Sequence, residues 1–184
     1  SDVYKRQDLG VPTLAHIRAL VDEATERKRS QEDWEFAPPR VTVMVDSGLS
    51  RSGISPDQWD KALKELSAAS SDSIIDVTGA FTHLASADAA DNPSNNRQKA
   101  QFDAAIEELQ AAGIPVRINH MCNSPASVTR SDMFYQMVRP GVALYGMDPL
   151  EEPVDRTSST GSSLVSQLKP AMTLSAPIVA KRLV

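Results

Sequence analysis

The sequence has 184 residues, enough for one domain with a buried core, and its hydrophobic share of 41% and charged share of 23% are ordinary for a soluble globular protein. The net charge of −5, without a basic stripe, argues against nucleic acid as a partner. The single cysteine, Cys122, excludes an internal disulfide. The sequence has no apolar run long enough to cross a membrane and no visible secretory signal, so we expect a cytoplasmic protein.

The N-terminal part of the chain predicts one helix. Residues Ser1–Gln7 lack apolar periodicity and are interpreted as a non-native remnant outside the folded part. Between Thr13 and Arg29, apolar residues recur at helical spacing, and Thr13 is a suitable cap. The apolar face of this predicted helix consists of Leu14, Ile17, Leu20, Val21 and Ala24.

A strand and a helix are predicted next. The β-branched run Val41–Val45 indicates a strand that leads into a glycine-containing loop, Asp46–Arg51. Ser55–Gln58 has the pattern of a capping box, in which Ser and Gln side chains satisfy the first free N–H groups of a helix. The helix that follows would turn one face inward, formed by Trp59, Leu63 and Leu66.

The same alternation repeats further along the chain. Ile74–Val77 and Gly79–His83 are predicted as strand, Ser86–Asn96 as a loop and Asn96–Ala112 as a helix. The predicted inward face of that helix consists of Phe102, Ile106 and Leu109. Strict alternation of strands and helices favours an α/β fold with a parallel sheet, but periodicity alone leaves open whether the sheet is a barrel or doubly wound.

Two candidate strand ends lie close together between residues 116 and 146. Val116–Asn119 is predicted as a strand that runs into a helix, with Ser124 as its cap and Pro125 at its first position. Met137–Gly146 is predicted as a second strand, in which Gly141 lets a ligand approach the backbone. Free N–H groups at such ends attract phosphate, so the pair predicts a phosphate-binding site.

Four segments in register resemble the alanine racemase family, enzymes that use pyridoxal 5'-phosphate to interconvert L- and D-alanine. They are VDSGLSRSGI (45–54), GAFTHLASAD (79–88), HMCNSPAS (120–127) and MVRPGVALYG (137–146). The resemblance implies a partial (β/α)8 TIM-type barrel, made of its later βα units, followed by the start of a β-rich C-terminal domain. The implied boundaries are 8–149 for the partial barrel, 150–168 for a linker and 169–184 for the first strand of that domain.

The resemblance also implies roles for individual residues. His83 would pack its ring against the pyridine ring of the cofactor, and Arg139 would donate to the pyridine nitrogen. His120 would hydrogen-bond Arg139 and hold it in place. Arg51 would contact the phenolic oxygen of the cofactor and the substrate carboxylate. The implied phosphate ligands are Asn123, Ser124, Gly141 and Val142, the last two through backbone N–H groups.

Each of these residues also has a plain structural interpretation. A histidine near a strand end is more often a hydrogen-bonded structural residue than a catalytic one, and His16, inside the first predicted helix, keeps that interpretation. Without the motifs, Arg51 would be a surface loop residue and Arg139 an ordinary salt-bridge partner. Asp46 is expected to do no more than cap its loop. Cys122 is expected to be a small packed residue rather than a nucleophile.

The sequence departs from the family pattern at one position. Many members carry a carbamylated lysine that orients the equivalent of Arg51, and here that position is Met44, which cannot be carbamylated. The lysine that holds the cofactor and the tyrosine that acts as second base are expected outside this sequence, so we expect the chain alone to be inactive. By the resemblance, the whole protein would be a homodimer that supplies D-alanine for peptidoglycan.

Two alternatives remain beside an alanine racemase. One is a racemase of broader amino-acid specificity. The other is a non-catalytic pyridoxal phosphate carrier on the same barrel. Such carriers lack the β domain, so the segment LKPAMTLSAPIVAKRLV (168–184) argues against the carrier.

Overall fold

A parallel sheet flanked by helices forms the centre of the molecule. The structure, a computed structural model, describes residues 8–30, 36–150, 165 and 167–177. Three parallel strands lie side by side in chain order, β1 (Leu9–Val11), β2 (Arg40–Met44) and β3 (Asp76–Phe81). Each strand is followed by a helix, and these are α1 (Leu14–Ser30), α2 (Pro56–Ser71) and α3 (Pro93–Ala111). The predicted α/β class with a parallel sheet is confirmed.

The strand β1 was not predicted. It has three residues, of which two are exposed, so it is too short for an alternating pattern to be recognised. Its assignment rests on its partner, because Leu9 pairs with Val41 and Val11 with Val43 in parallel register. A strand of this length is recognisable only once the neighbouring strand is in place.

The hydrophobic core lies between the sheet and the inward faces of the helices. Phe102 and Leu109 of α3 are fully buried, and so is Leu66 of α2. Burying each such side chain contributes roughly 1.5–3 kcal/mol. Helix propensities differ by less than about 1 kcal/mol per residue among ordinary residues. Packing against the sheet, rather than propensity, therefore holds these helices in place.

The helix starts agree with the sequence in part. Thr13 caps α1 as predicted, since its Oγ1 accepts a hydrogen bond from His16 N at 3.2 Å. Ser55 lies at the N-cap of α2, but its side chain makes no capping bond, so the predicted capping box is wrong. The helix α3 begins at Pro93 rather than at Asn96, because the Asn92 side chain accepts from Ser94 N at 3.0 Å.

The segment predicted as the strand Val116–Asn119 is not a regular strand, although it runs beside β3. One isolated parallel bridge joins His120 to Phe81. Upstream, the Thr78 carbonyl accepts from both Arg117 N, at 2.9 Å, and Ile118 N, at 3.0 Å. The irregularity arises because β3 shifts register against β2 near Thr78, which breaks the even spacing of ladder bonds.

The predicted strand Met137–Gly146 is wrong. Within it, Val142–Tyr145 forms a 3-10 turn, bounded by Gly141 and by Gly146, whose φ is +78°. Between the two segments lies α4 (Ser124–Thr129), in which Asn123, not Ser124, is the N-cap. Gly141 and Gly146 take the chain out of the extended conformation, so no strand forms here. Asn competes well with Ser for the N-cap, so the cap lies at Asn123.

The predicted C-terminal strand has no counterpart where the structure describes it. Residues 169–177 contain no strand, and Met172 and Leu174 are exposed. Ala171 N donates to Tyr145 O at 3.1 Å, so this part of the chain lies against the 3-10 turn. Residues 178–184, residues 1–7 and most of the predicted linker lie outside the described residues. Over the ranges that are described, no helix is long and apolar enough to span a bilayer.

Gly79 is expected to be irreplaceable, because a Cβ there would collide with the backbone carbonyl of Ile118. Backbone cannot rotate away as a side chain can, so Gly79→Ala should lower the free energy of unfolding by about 3 kcal/mol or more. Chemical denaturation measures this change. The matched control is Gly10→Ala on β1, whose Cβ would meet the Phe81 ring at an ordinary 3.5 Å. Equal losses in the two variants would contradict the prediction.

Candidate functional site

The residues singled out by sequence lie at one edge of the sheet. In parallel strands the carboxyl ends share an edge, and ligands of such sheets bind there. The loop after β2 carries Arg51, the end of β3 leads into His83, and His120 follows in the segment beside β3. Arg139 reaches the same edge from the segment before the 3-10 turn.

The Arg139 guanidinium is partly buried among neutral groups. It donates to the carbonyls of Thr82, at 2.7 Å, and His120, at 3.2 Å, and forms a short hydrogen bond with His120 Nδ1. Its backbone N–H donates to Cys122 O at 2.9 Å. No carboxylate forms an ion pair with it among the described residues. Burial lowers its pKa, but a guanidinium stays charged at neutral pH, so this is a cation without a counter-ion.

His120 is the neutral partner of Arg139, and the hydrogen bond predicted between them is present. The residue is 7% exposed. Burial first, and then the neighbouring Arg139 charge, lower the pKa of His120 to about 4. The imidazole is therefore neutral near pH 7, and Nδ1 accepts from the guanidinium while Nε2 carries the proton.

Phe81 completes the packing around Arg139 and was missed by sequence reasoning. Its ring stacks on His120 with the centroids 5.1 Å apart and an interplanar angle of 18°. The Arg139 guanidinium carbon lies 5.4 Å from the centroid of the same ring, within cation–π range. A usable signal was present, since Phe81 and His83 are two residues apart at a strand end and so project from the same side.

His83 is half-buried between the two arginines. Burial lowers its pKa, and the charges of Arg139 and Arg51 lower it further. Arg51 is exposed and has no hydrogen bond or ion pair within the part of the chain that the structure describes. Its loop is held by Asp46, whose Oδ1 accepts from Gly48 N at 3.0 Å and Ser50 N at 2.9 Å. The expectation that Asp46 caps this loop is confirmed.

Met44 lies at the end of β2 and pairs in register with Phe81. It is partly buried and carries no group that could orient Arg51 through a charge. Met44 therefore places an uncharged, apolar side chain beside Phe81 at this strand end.

Two backbone N–H groups converge on a buried serine. Ser124 Oγ, in a residue 4% exposed, accepts from Gly141 N at 2.6 Å and from Ala143 N at 3.3 Å. Ala143, which sequence reasoning missed, thus donates to this serine, and the predicted phosphate ligand Val142 lies in the same 3-10 turn. Asn123 Oδ1 accepts from Ala126 N at 3.4 Å as the cap of α4. The helix α4 has six residues, so its dipole adds little to the attraction of an anion. The N–H groups of the turn contribute more to that attraction.

Cys122 behaves as a packed residue, as expected. It is fully buried, and its thiol donates to Met133 O at 3.1 Å. Burial is the main cause that raises its pKa to about 11, so the reactive thiolate is scarce at neutral pH.

The site as a whole is positive and open. Two arginines face two neutral imidazoles, and the described residues contain no cluster of His, Cys, Asp and Glu suited to a metal ion. A cavity of about 250 Å³ lies between α2 and α3, but none of Arg51, His83, His120 and Arg139 lines it. The arrangement can therefore bind an anionic ligand and hold one acceptor atom against Arg139.

Comparison with known proteins identifies relatives of this chain. Residues 3–149 match the family model described as alanine racemase, N-terminal domain, and the match begins within Ser1–Gln7. The chain is 39% identical over 171 residues to the alanine racemase of Corynebacterium glutamicum, a match that covers 93% of this chain and 40% of that protein.

Solved structures of alanine racemases also resemble this chain. The crystal structure of alanine racemase from Corynebacterium glutamicum superposes with a TM-score of 0.67 over 89% of this chain and 40% of that one. The enzyme from Streptomyces coelicolor A3(2) gives 0.72 at 29% identity, over 81% of this chain and 37% of that one. An alanine racemase from Bartonella henselae, solved with covalently bound pyridoxal phosphate, gives 0.62 at 23% identity, over 82% and 39%.

The depressed pKa of His120 predicts a stability that falls with acid. The unfolded imidazole, with a pKa near 6.5, binds protons that the folded one excludes down to about pH 4, so stability is lost as pH falls through this window. One pKa unit corresponds to about 1.4 kcal/mol, which gives a loss of up to about 3 kcal/mol.

Denaturant titrations of wild type and His120→Gln between pH 6.5 and pH 4.5 measure the contribution. The variant, which cannot titrate there, should lose less stability over this range than wild type. Gln110→Ala, which changes no titratable group at an exposed helix position, is the control and should lose as much stability over this range as wild type. Parallel curves for wild type and His120→Gln would contradict the assignment.

Proposed function

Because the chain belongs to the alanine racemase family, we propose that it supplies part of the cofactor site of a pyridoxal 5'-phosphate-dependent alanine racemase. The chain spans about 40% of the length of the relatives that it matches, so the proposal concerns the protein to which these residues contribute. The observation that carries it is the partly buried Arg139, held by neutral partners and lacking a carboxylate counter-ion among the described residues.

The arrangement of the strands supports a partial (β/α)8 barrel. A doubly wound sheet reverses its strand order at a switch point, whereas successive strands of a barrel lie beside one another in chain order. The three strands here follow the order β1-β2-β3, and His120 continues the series beside β3. We propose residues 8–149 as this partial barrel, with a linker at 150–168 and the start of a β-rich domain at 169–184.

The chemistry of the donor set fits the ring of pyridoxal phosphate. Arg139 has guanidinium N–H groups for a ring nitrogen, and His83 has a partly buried imidazole that could cover a flat ring. The solved relative from Bartonella henselae carries this cofactor covalently bound, which supports the same assignment here. A guanidinium without an ion pair can donate to a neutral ring nitrogen without first losing a carboxylate partner.

The proposed phosphate site consists of Ser124 with the turn that follows Gly141. Ser124 Oγ already accepts two N–H groups, from Gly141 and Ala143, so its own proton is free to donate to a phosphate oxygen. We propose that the N–H groups of Gly141 and Ala143 exchange Ser124 Oγ for phosphate oxygens when the cofactor binds, as the donors of an anion-binding turn. We propose Asn123 and Val142 as further phosphate ligands, Val142 through its backbone N–H.

Arg51 is proposed to bind the carboxylate of the amino acid as well as the phenolic oxygen of the cofactor. It is exposed, without a recorded partner in the described ranges, and its loop is ordered by Asp46. A free guanidinium on an ordered loop can form a bidentate contact with a carboxylate without breaking an existing ion pair.

The Arg139 charge decides how far the cofactor ring accepts electrons. Bound pyridoxal phosphate would supply an electron sink for the bond that breaks at the substrate α-carbon. Arg139 retains its proton, because its pKa remains far above that of a pyridine nitrogen, so it would hold that nitrogen without protonating it. Neutral His120 keeps the guanidinium in place. Weak electron withdrawal limits protonation at wrong positions, which suits racemisation.

No residue of this chain is proposed to move the substrate proton. The Tyr135 hydroxyl donates to Asp103 Oδ1 at 2.5 Å, and burial followed by that carboxylate raises its pKa above the ordinary range. Such a hydroxyl is a poor acid and base near pH 7. The two proton-transferring groups, a homodimeric assembly, a cytoplasmic location and a role in supplying D-alanine for peptidoglycan are all proposed from the family.

Replacement of Ser124 should weaken cofactor binding. Ser124→Ala removes a hydroxyl donor to the phosphate and the acceptor of two N–H groups, and a lost bond to a charged group costs about 1.5 kcal/mol. The dissociation constant of pyridoxal phosphate should rise about tenfold. Titration of cofactor absorbance measures it, with Ser131→Ala at an exposed position as control. An unchanged constant would remove Ser124 from the proposed site.

The activity is tested on the complete product of the gene that encodes this chain. With pyridoxal phosphate present, a solution of L-alanine should lose optical activity. L-Serine and L-lysine are tested as alternative substrates in separate assays. Arg51→Ala and Arg139→Ala should each lower kcat/KM for alanine by roughly 100-fold or more. Arg117→Lys, in an exposed ion pair with Asp76 at 3.0 Å, should leave it unchanged.

Three results discriminate between the functions. Turnover of alanine alone supports the alanine racemase. Comparable turnover of serine or lysine would replace it with a racemase of broader specificity. Cofactor binding without turnover of any amino acid would overturn both and favour a non-catalytic carrier.

A further inference from the structure

The side chain of Gln98 lies behind the candidate site and contacts two of its loops. Gln98 belongs to α3, which packs on the outside of the sheet, and it is 3% exposed. Its Nε2 donates to Ser47 Oγ at 3.1 Å, in the loop that carries Arg51. The same nitrogen donates to the His83 carbonyl at 3.0 Å, and Oε1 accepts from Ala85 N at 2.9 Å.

These contacts continue towards Arg139 through a second buried pair. Ser47 Oγ shares a hydrogen bond with Thr82 Oγ1 at 2.7 Å, and both residues are 1% exposed. The Thr82 carbonyl accepts from Arg139 at 2.7 Å. One amide side chain on α3 is thereby connected to the loop of Arg51, to the backbone of His83 and, through Thr82, to Arg139.

We propose that Gln98 is a positioning residue that fixes the separation between the Arg51 loop and the His83 strand end. Its importance for catalysis rests on the proposed racemase function, while its effect on geometry does not. An amide suits this position because both its nitrogen and its oxygen are used, and a charged or apolar side chain of similar size would leave buried groups unpaired.

The close packing around Gln98 leaves no easy substitute. A Cβ added at Gly48 would lie 3.4 Å from Gln98 Cγ, so the Arg51 loop lies directly on this side chain. Loss of the amide would release the loop on one side and the His83 backbone on the other. Water would then reach His83, and the distance from His83 to Arg51 would increase.

The histidines provide a readout that a general loss of stability would not move selectively. Single His→Gln variants at positions 83 and 120 assign these two resonances among those of the complete gene product. His83 faces Arg139 and Arg51, and burial with these charges sets its pKa. The pKa of His120 depends on its own burial and on Arg139.

The test is an NMR pH titration of the complete gene product, prepared without cofactor. Gln98→Met keeps the length and neutrality of the side chain but removes its three hydrogen bonds. The pKa of His83 should rise towards its ordinary value, because desolvation and repulsion both weaken. His120, which makes no hydrogen bond with Gln98, should titrate as in wild type. The matched control is Gln110→Met, at an exposed position of the same helix.

Ser47→Ala gives a second, milder variant in case Gln98→Met does not fold. It removes one of the Gln98 bonds, so the pKa of His83 should rise less but in the same direction. The double variant should match Gln98→Met alone rather than the sum, because both changes break the same connection.

An unchanged pKa of His83 in Gln98→Met and Ser47→Ala would overturn the proposal, as would an equal shift of the pKa of His120. If His83 shifts selectively but wild type racemises no amino acid, the proposed function fails while the positioning of the loop stands. If wild type racemises alanine and kcat falls at least tenfold in Gln98→Met but not in Gln110→Met, both proposals are supported.

Discussion

The approach of the Ile118 carbonyl to Gly79 sets the position of most of the candidate site. Because residue 79 has no Cβ, the chain after α3 can run against β3 where a side chain would have kept it away. That contact brings His120 opposite Phe81, so the two rings stack. Arg139 is then fixed by both, through the imidazole nitrogen and the aromatic face. A backbone constraint at one glycine thus determines where a guanidinium lies.

The electrostatics of the site follow from what surrounds Arg139. Burying a charge is unfavourable unless it is paired or well hydrogen-bonded, and here carbonyls and a neutral imidazole provide the hydrogen bonds. The same burial that weakens Arg139 as a cation also keeps His120 deprotonated. A neutral histidine is the form that can accept from a guanidinium. The two groups therefore need the same dry surroundings, and neither would keep its role if solvent reached the pair.

The helices were predictable from the sequence because their evidence is local. Trp59 in α2 and Phe102 in α3 recur with other apolar residues at helical spacing, and both are buried as expected. The residues 116–119 and 142–145 looked like strands by composition, but a strand needs a partner in register, and the shift near Thr78 removes it for the first. Contacts between residues far apart in sequence could not be predicted either, because they also depend on partners that only the folded chain brings together.

The four residues expected near the cofactor ring and substrate, Arg51, His83, His120 and Arg139, do lie at one sheet edge, because the motifs mark strand ends. The residues that hold them were harder to find. Phe81 looks like an ordinary core aromatic, Ala143 acts only through its backbone, and Gln98 lies on a helix far away in sequence. Their roles depend on neighbours that only the folded chain supplies.

The inward face of α3 changes character along its length. Asn95 and Gln98 form its polar first part, whereas Phe102 and Leu109 form its apolar second part, and all four are buried. A protein engineer who sought a more stable variant would be drawn to the polar half, since replacing a buried amide by leucine is a common way to enlarge a core. In this helix such a change would separate the two loops that the amide joins and leave their buried polar groups unpaired, so it would lower the melting temperature as well.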